Sequence, residues 1–362
     1  MTHPSQATTD RPARADGDNA SLLEVRDLRK YFPVAGGIFN RTVAHVQAVD
    51  AVSFDVAAGQ VLGIVGESGC GKSTTARLLM RLLEPDSGEI SFDGQAVGTP
   101  AGISLREMRR QMQMVFQDSY ASLNPRLPIE DSIAFGPRVH GVSASEATAR
   151  TRDLLAHVGL DPGQFIRRYP HELSGGQRQR VNIARALALE PRVLILDEAV
   201  SALDKSVEAQ VLNLLVDLKN DLSLTYVFIS HDLNVVQYIS DQVLVMYLGK
   251  VVEIGSVTAI YEATRHPYTR ALLSAMPSMD PERRTEKPPL TGDPPNPINP
   301  PSGCRFHTRC PFAEPLCATA EPVLTQTNSN VPGHLAACHM TAPDSSHSQA
   351  NGGGGTSGAE PE

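Results

Sequence analysis

The stretch Gly66-Glu67-Ser68-Gly69-Cys70-Gly71-Lys72-Ser73-Thr74 decides the fold of this chain. It follows the apolar run Val61 to Val65 and precedes a helical pattern from Thr75 to Leu83. Glycines let a loop fold back tightly, so that several backbone N–H groups converge on phosphate oxygens with no Cβ in the way. A strand, this loop and a helix in that order predict a phosphate-binding loop in an α/β domain.

The loop residues have distinct predicted roles. Lys72 is placed to reach the outer phosphates of a nucleotide, and Ser73 is placed to offer its hydroxyl to Mg²⁺. The positive end of the following helix dipole adds to the attraction for phosphate. Further nucleotide contacts are expected from Gly66, Ser68, Gly69, Cys70, Gly71 and Thr74. The alternative is a glycine-rich turn that contains an incidental lysine.

Composition narrows the class of protein. The chain has 362 residues, an apolar share of 41% and a net charge of −8, with no basic stripe, which argues against binding to nucleic acid. No run approaches the roughly 18 apolar residues of a membrane span, and residues 1–20 show no apolar signal core. We therefore expect a cytosolic protein whose membrane role, if it has one, comes through a partner.

Two carboxylates end an apolar strand from Val193 to Leu196. Asp197 is placed to hold Mg²⁺, and Glu198 to orient or deprotonate an attacking water. The alternative for such an acidic pair is a solvated strand end. Because a phosphate loop is present, the catalytic interpretation is favoured.

Two further polar residues also follow predicted strands. Gln117 comes after Met112 to Phe116 and is placed to reach the metal or the attacking water; alone it would be a surface residue. His231 stands beyond Thr225 to Ile229, where it can sense the γ-phosphate; alone it would be a structural histidine. Chemical residues at the carboxyl ends of alternating strands predict a mostly parallel sheet with its site along one edge.

A second helix start is built to bind an anion. Leu173-Ser174-Gly175-Gly176-Gln177 precedes a long run of helix formers, and its free N–H groups would attract phosphate. The chain already has one phosphate loop. A second anion site therefore suggests that the γ-phosphate is bound between two molecules, one of which supplies each site. Helical spacing from Ile129 to Gly159 predicts a helical subdomain inserted into the α/β domain.

The amino-terminal part contains a candidate adenine contact. Leu22 to Leu28 reads as a strand that ends at Tyr31-Phe32-Pro33, and a loop insertion or hairpin from Gly36 to His45 precedes a second strand, Ala51 to Val56. Phe32 is the candidate for stacking on adenine, with Tyr31 second. The alternative is an aromatic packed at the end of a small β-sheet.

Together these motifs resemble those of ATP-binding cassette (ABC) ATPases, over roughly Leu22 to Thr264. By that resemblance the phosphate loop is Walker A, Gln117 the Q-loop, Asp197 and Glu198 the end of Walker B, and His231 the switch histidine. It also implies a signature at Leu173 to Gln177, a D-loop from Ser201 to Asp204 and an adenine-stacking position at Phe32. The family forms head-to-tail dimers, with each ATP between Walker A of one subunit and the signature of the other.

A finer resemblance is to the ATP-binding subunits of dipeptide and oligopeptide importers. It rests on the sequence of the phosphate loop from Gly66 to Ser73, on Ser122-Leu123-Asn124-Pro125-Arg126, on the insertion between Phe32 and Ala48, and on His266-Pro267-Tyr268-Thr269. It implies an ATPase at the cytoplasmic face of the membrane, paired with a second, unlike ATPase subunit and two transmembrane permeases. An external binding protein would deliver the peptide. Ala199 departs from the proline usual in the family.

Two other functions remain open from the residues alone. The same importer role could serve nickel, a glycoside or another solute, because the ATPase does not touch the cargo. A soluble ABC ATPase acting on ribosomes or DNA is the second alternative. Such proteins usually carry two cassettes, a coiled-coil insertion or a basic face, whereas this chain has one cassette, no heptads and an acidic balance.

Four of the five cysteines lie in the last part of the chain: Cys304, Cys310, Cys317 and Cys338. A [4Fe–4S] cluster requires four thiolates and tolerates such unequal spacing, so it is the favoured interpretation. Structural zinc is the alternative, although close cysteine pairs are absent; His307, His334 and His339 are substitute ligands. Disulfides are disfavoured in a reducing compartment, so unligated thiols are the third interpretation. The resemblance to peptide-importer ATPases supports the cluster.

The chain is thus expected to divide into five parts. Residues 1–20 are predicted to be disordered, and 21–264 to form the nucleotide-binding domain, which contains an antiparallel β subdomain and, at about 120–190, the helical subdomain. An extension and proline-rich linker covers 265–301. A small cysteine-rich carboxyl-terminal domain covers 302–341, and a disordered tail covers 342–362.

Overall fold

The computed structural model describes residues 21–36, 41–276, 295–327, 331–342 and 345–350. The predicted disordered amino terminus, residues 277–294 of the predicted extension and linker, and residues 351–362 lie outside these ranges. Within the described ranges, no helix is both long and apolar enough to cross a membrane.

The described strands, in chain order, are β1 Ser21–Gly36, β2 Arg41–Ala57, β3 Val61–Val65, β4 Ser87–Phe92, β5 Gln95–Ala96, β6 Met112–Val115, β7 Val193–Asp197, β8 Thr225–Ile229, β9 Gln242–Tyr247, β10 Lys250–Ser256, β11 Thr325–Gln326 and β12 Leu335–Ala336. The α-helices are α1 Lys72–Leu79, α2 Leu105–Gln111, α3 Ile129–Val139, α4 Ala144–His157, α5 Pro162–Phe165, α6 Gly175–Leu187, α7 Lys205–Leu222, α8 Leu233–Ile239, α9 Val257–Glu262, α10 Pro267–Ser274 and α11 Pro315–Thr319.

The strands form two sheets. The larger has the order β11-β12-β10-β9-β3-β8-β7-β6, and its pairs from β9 to β6 are parallel. The smaller, β2-β1-β4-β5, is antiparallel. The predicted combination of a mostly parallel core with a separate antiparallel β subdomain is therefore confirmed.

Strand β3 lies in the middle of the larger sheet and is buried on both faces. Val61 and Val65 belong to one hydrophobic core, and Leu62 and Ile64 belong to the other, as the two-residue side-chain period of a strand requires. A continuous apolar run is typical of such a two-sided strand. This burial fixes the point at which the phosphate loop leaves the sheet.

The prediction that β1 ends at Tyr31-Phe32-Pro33 was wrong. Strand β1 continues to Gly36 and pairs with β2 along the way, with Pro33 opposite His45. Its pairing with β4 ends at Arg29, so at Pro33 the strand has a neighbour on one side only. A proline, which lacks an N–H, is tolerated on such an open edge.

The inserted helical subdomain consists of α3, α4, α5 and α6. Helices α3 and α4 pack together, and both contact α6. Ser143 caps α4 by accepting a hydrogen bond from the Glu146 N–H, and α3 begins after Pro128. Helix α6 carries the predicted signature at its amino end.

The cysteine-rich part joins the main sheet rather than standing apart from it. Strand β12 pairs antiparallel with β10, bringing Ala336 opposite Glu253. Residues 345–350 differ from the predicted disordered tail because they pack onto this part. His347 is 3% exposed, and its Nε2 lies 3.0 Å from the Phe312 carbonyl oxygen.

Candidate nucleotide-binding site

The phosphate loop needs glycine at two points of close approach. Gly66 has φ +149° and Gly71 has φ +109°. A Cβ on Gly66 would lie 2.2 Å from the Met246 carbonyl oxygen, and one on Gly71 would lie 2.2 Å from the Ala48 carbonyl oxygen. The loop therefore packs closely between β9 and β2, and any side chain at position 66 or 71 would clash with a carbonyl oxygen.

Lys72 opens helix α1 and is 5% exposed. Its Nζ donates hydrogen bonds to the carbonyl oxygens of Gly66 at 2.7 Å and Glu67 at 3.0 Å. The predicted helix start at Thr75 was therefore three residues too late, because Lys72 to Thr74 already form its first turn. The phosphate loop therefore curves around the Lys72 ammonium group, which is placed to bind phosphate.

Ser73 and Asp197 form the second element of the site. The Ser73 hydroxyl donates to Asp197 Oδ1 at 2.9 Å, and Asp197 is 3% exposed at the end of β7. Burial raises the pKa of the Asp197 carboxyl, and the Ser73 hydrogen bond partly offsets this rise. A hydroxyl and a carboxylate in contact are oxygen ligands of the kind that Mg²⁺ prefers.

Glu198 lies between Gln117 and His231. Gln117 Nε2 donates to Glu198 Oε2 at 2.8 Å, and His231 Nδ1 lies 3.5 Å from the same oxygen. Glu198 has φ +48°, and its N–H donates to the Ile229 carbonyl oxygen at 2.9 Å. A non-glycine residue in this conformation is strained, and such strain is common where a side chain is held for function.

These elements surround one open cleft of about 500 Å³. Its lining includes nine predicted site residues: Ser68, Gly69, Gly71, Lys72, Ser73, Thr74, Gln117, Glu198 and His231. Val46 and Ala48 of β2 also line it and were not predicted. Asp197 does not line the cleft, but it contacts Ser73, which does. Gly66 and Cys70 are buried beneath the loop surface.

Phe32 is not among the residues that line the cleft. It pairs with Val46, which does line it, and Lys30 Nζ lies 5.8 Å from the centre of its ring. Tyr31, the second adenine candidate, is engaged elsewhere, since its hydroxyl donates to Asp50 Oδ1 at 2.6 Å.

The predicted signature residues lie outside the cleft of their own chain. Ser174 caps α6: its Oγ accepts from the Gln177 N–H at 3.3 Å, and its own N–H donates to Gln177 Oε1 at 3.0 Å. Ser174 and Gly175 are exposed, and Asp204 is exposed at the start of α7. These groups are therefore available to a neighbouring molecule.

The four carboxyl-terminal cysteines are free thiols that line one small cavity. Burial, reinforced by the neighbouring thiols, raises the pKa of Cys304 to about 11 and that of Cys338 to about 12, so both are protonated at neutral pH. In the part of the chain that the structure describes, no group of three or more His, Cys, Asp or Glu side chains is arranged to hold a metal ion. The described residues thus form no assembled site for the predicted [4Fe–4S] cluster or for its zinc alternative.

Sequence reasoning missed the residues that connect the cysteine-rich part to the phosphate loop. Arg309 makes two hydrogen bonds to the Glu67 carboxylate, and the Tyr268 hydroxyl accepts from the Glu67 N–H at 2.9 Å. Arg305, by contrast, connects the cysteine-rich part to β2, through an ion pair with Asp50. The only sequence signal was the His266-Pro267-Tyr268-Thr269 motif, whose spatial neighbour no local pattern reveals.

Comparison with known proteins agrees with this geometry. The profile of the family described as ABC transporter matches residues 49–201, and that of the oligopeptide/dipeptide transporter C-terminal region matches residues 252–317. The oligopeptide transport ATP-binding protein AppF of Bacillus subtilis is 49% identical over 324 residues, which are 88% of this chain and 97% of that protein. The di/tripeptide transport ATP-binding protein DppF of Pseudomonas aeruginosa is 47% identical over 305 residues, 84% of this chain and 94% of that protein.

Among solved structures, CbiO1 of Clostridium perfringens, part of the ABC transporter complex CbiONQ, aligns with a TM-score of 0.57 and 28% identity. The alignment covers 67% of this chain and 91% of CbiO1. The profile matches, the extent of identity to the curated relatives and the shared fold all agree. The chain therefore belongs to the ABC transporter family, as an ATP-binding subunit of the oligopeptide/dipeptide type.

Proposed function

We propose that this chain hydrolyses ATP to power the import of dipeptides or oligopeptides across the cell membrane. The observation that carries the proposal is the convergence of Lys72, Ser73, Gln117, Glu198 and His231 on one cleft. The peptide-transport names of its relatives support the class of cargo.

In the proposed mechanism, the loop N–H groups and Lys72 bind the phosphates of ATP. Ser73, Asp197 and Gln117 would hold Mg²⁺, which when bound neutralises charge on the phosphate oxygens. Phe32 would stack on adenine. Its pairing with Val46 supports this role, because directly paired residues of antiparallel strands share a face of the sheet and Val46 lines the cleft.

Glu198 acts on the attacking water in this proposal. Its Oε2 is already within hydrogen-bond distance of Gln117, so its carboxylate is held at the cleft as a general base must be. His231, on the other side of the same oxygen, would contact the γ-phosphate. In this proposal Glu198 takes the proton of the attacking water, and the neighbouring His231 binds the charge that develops on the phosphate.

We further propose that the active unit is a head-to-tail dimer with a second, homologous ATPase subunit. The amino end of α6, with Ser174, Gly175, Gly176 and Gln177, would complete the partner's site, with Asp204 beside it. The exposure of Ser174, Gly175 and Asp204, and the absence of all these residues from the lining of the chain's own cleft, support this assembly. A helix amino end turned to solvent is suited to bind phosphate from another subunit.

Two transmembrane permeases are the proposed membrane partners, which would place this chain as a peripheral subunit on the cytoplasmic face. A groove of about 330 Å³ between α3, α6 and the segment after β6 supports such docking. It is lined by Leu82, Phe116 and Phe135, and Phe135 is 64% exposed. Apolar side chains that remain exposed in a groove favour a protein partner. An external binding protein would supply the peptide.

A metal at the four cysteines remains a separate proposal. The convergence of free thiols on one cavity supports it, because thiolates are the ligands that [4Fe–4S] clusters and many zinc sites use. Ligation would require the thiols to approach one another and to lose their protons. Measuring iron, sulfide and zinc in chain purified without oxygen tests this proposal, and a metal-free, folded chain would overturn it.

Uptake by cells tests the cargo. In cells whose own copy is deleted, the wild-type chain should restore uptake of labelled dipeptides or oligopeptides, whereas Glu198→Gln should not. Unlabelled peptides should compete with the label, and nickel or a glycoside should not. Restoration of nickel or glycoside uptake without peptide uptake would favour the other-solute alternative, which the names of the relatives do not support.

A further inference from the structure

Glu67 places a negative charge in a loop that is proposed to bind a triphosphate. It lies between Gly66 and Ser68, and an unpaired carboxylate at that place would repel phosphate over a short distance. Its side chain is 22% exposed, so solvent screens it only in part. The structure shows how this charge is compensated.

Arg309 of the cysteine-rich part pairs with Glu67 through two hydrogen bonds. Arg309 Nη1 lies 2.8 Å from Glu67 Oε2, and Nη2 lies 3.1 Å from Oε1. The Arg309 side chain is 6% exposed, and the pair raises the pKa of its guanidinium. A bidentate pair with so little exposure to water fixes the orientation of both groups and loses little strength to screening by salt.

The backbone of Glu67 is held as well. Its N–H donates to the Tyr268 hydroxyl at 2.9 Å, and its carbonyl oxygen accepts from Lys72 Nζ at 3.0 Å. Tyr268 is fully buried and packs against Tyr247 and Phe306, with ring centres 4.6 and 5.4 Å away. One residue of the loop thus contacts both Lys72 and the carboxyl-terminal part.

Arg309 is itself rigidly placed. It ends a short 3₁₀ turn, His307–Arg309, and its guanidinium lies 5.9 Å from the centre of the Tyr247 ring. The same turn begins just after Arg305, whose guanidinium pairs with Asp50 of β2 and does not contact the phosphate loop. Arg305 therefore offers a matched control for effects on the fold of this segment.

We propose that Arg309 is a positioning residue for ATP binding: it neutralises Glu67 and holds the phosphate loop in its binding geometry. The cysteine-rich part is then a functional component of the nucleotide site, not only a structural appendage. This inference rests on the proposed ATP-binding function. It assigns Arg309 no contact with ATP; the residue acts through Glu67.

The test measures the Kd of ATP with the full chain, together with its melting temperature. Arg309→Gln should raise the Kd roughly tenfold, the factor that corresponds to about 1.4 kcal/mol. Arg309→Gln combined with Glu67→Gln should return the Kd to within about threefold of wild type, because no uncompensated carboxylate remains. Arg309→Lys, which keeps the charge, should fall between wild type and Arg309→Gln.

Arg305→Gln separates positioning from stability. It should lower the melting temperature while leaving the Kd of ATP unchanged, since Arg305 does not touch Glu67. The proposal is overturned if Arg309→Gln lowers the melting temperature but leaves the Kd unchanged, or if the double variant binds ATP as weakly as Arg309→Gln alone. Failure of the wild-type chain to bind ATP would instead contradict the proposed function.

Discussion

Gln117 and Glu198 are 81 positions apart in sequence, yet Gln117 Nε2 donates a hydrogen bond of 2.8 Å to Glu198 Oε2. The strand register explains this contact. Val115 of β6 pairs with Leu196 of the parallel strand β7, so the residues two positions beyond each leave the sheet side by side. A movement of the segment after β6 would therefore shift Gln117 and, through this hydrogen bond, the Glu198 carboxylate that is proposed to act on water.

Glu198→Gln should abolish hydrolysis while leaving ATP binding intact. The amide has nearly the shape of the carboxylate but cannot accept a proton from water, and loss of a general base costs on the order of 10²–10⁴-fold in rate. Steady-state ATP turnover and ATP binding, measured on the same preparation, check this. We also expect the variant to accumulate a closed dimer with ATP. Undiminished turnover would remove Glu198 from the proposed role.

Gly71→Ala should impair ATP binding. The added methyl would meet the Ala48 carbonyl oxygen at 2.2 Å, so the loop or β2 must shift, at a cost of roughly 1–3 kcal/mol. Gly59→Ala is the matched control, because Gly59 also has a positive φ, +80°, but its added Cβ meets nothing within 4 Å. Equal effects of both variants on ATP affinity would mean that the loss comes from general backbone strain and not from the close approach of Gly71 to Ala48.

Tyr268→Phe should weaken ATP binding several-fold. It removes the hydroxyl that accepts from the Glu67 N–H, and an unsatisfied donor costs about 1–3 kcal/mol. Tyr226→Phe is the control: its buried hydroxyl donates to the Leu215 carbonyl oxygen at 2.9 Å, away from the phosphate loop. Isothermal titration of both variants with ATP should show weakened binding only for Tyr268→Phe, and the reverse pattern would contradict the loop contact.

His266 should make stability depend on pH. It is fully buried at the start of α10, and burial lowers the pKa of its imidazole from 6.5 to about 4. The unfolded chain therefore binds a proton that the folded chain does not, so stability is complete above pH 6.5 and falls between pH 6.5 and 4, by up to about 3 kcal/mol.

His266→Asn should flatten this dependence, because asparagine keeps an acceptor for the Tyr268 N–H but does not titrate in this range. Melting temperatures at pH 7 and pH 5 provide the comparison. Glu253 acts at lower pH. Burial alone would raise the pKa of its carboxyl, but hydrogen bonds from His334, Thr269 and the Arg265 N–H together lower it, so its contribution to stability is lost only as pH falls further. An equal loss in wild type and variant would exclude His266 as the cause.

Local patterns predicted much of the fold because burial and turn chemistry are local signals. Strands β3 and β8 have the predicted bounds, since each is an apolar run ended by a clear change of composition. Strand β1 was predicted too short, because Pro33 reads as a strand end unless the missing neighbour on that edge is known.

The cleft was also largely predictable, because a parallel sheet brings the carboxyl ends of its strands to one edge. The pairing of Arg309 with Glu67 was not, since 242 positions separate them and no periodicity relates them. Val46 and Ala48 were missed for a similar reason: an aliphatic residue in a strand carries no sign that it faces a ligand.

The most direct test of the central claim is peptide transport by the reconstituted transporter. Vesicles that contain this chain with its partner ATPase and permeases, supplied with the external binding protein and a labelled peptide, should accumulate the peptide only when ATP is present. Replacing the chain by its Glu198→Gln variant should stop accumulation while ATP still binds. Peptide accumulation that continues undiminished with the variant would contradict the account.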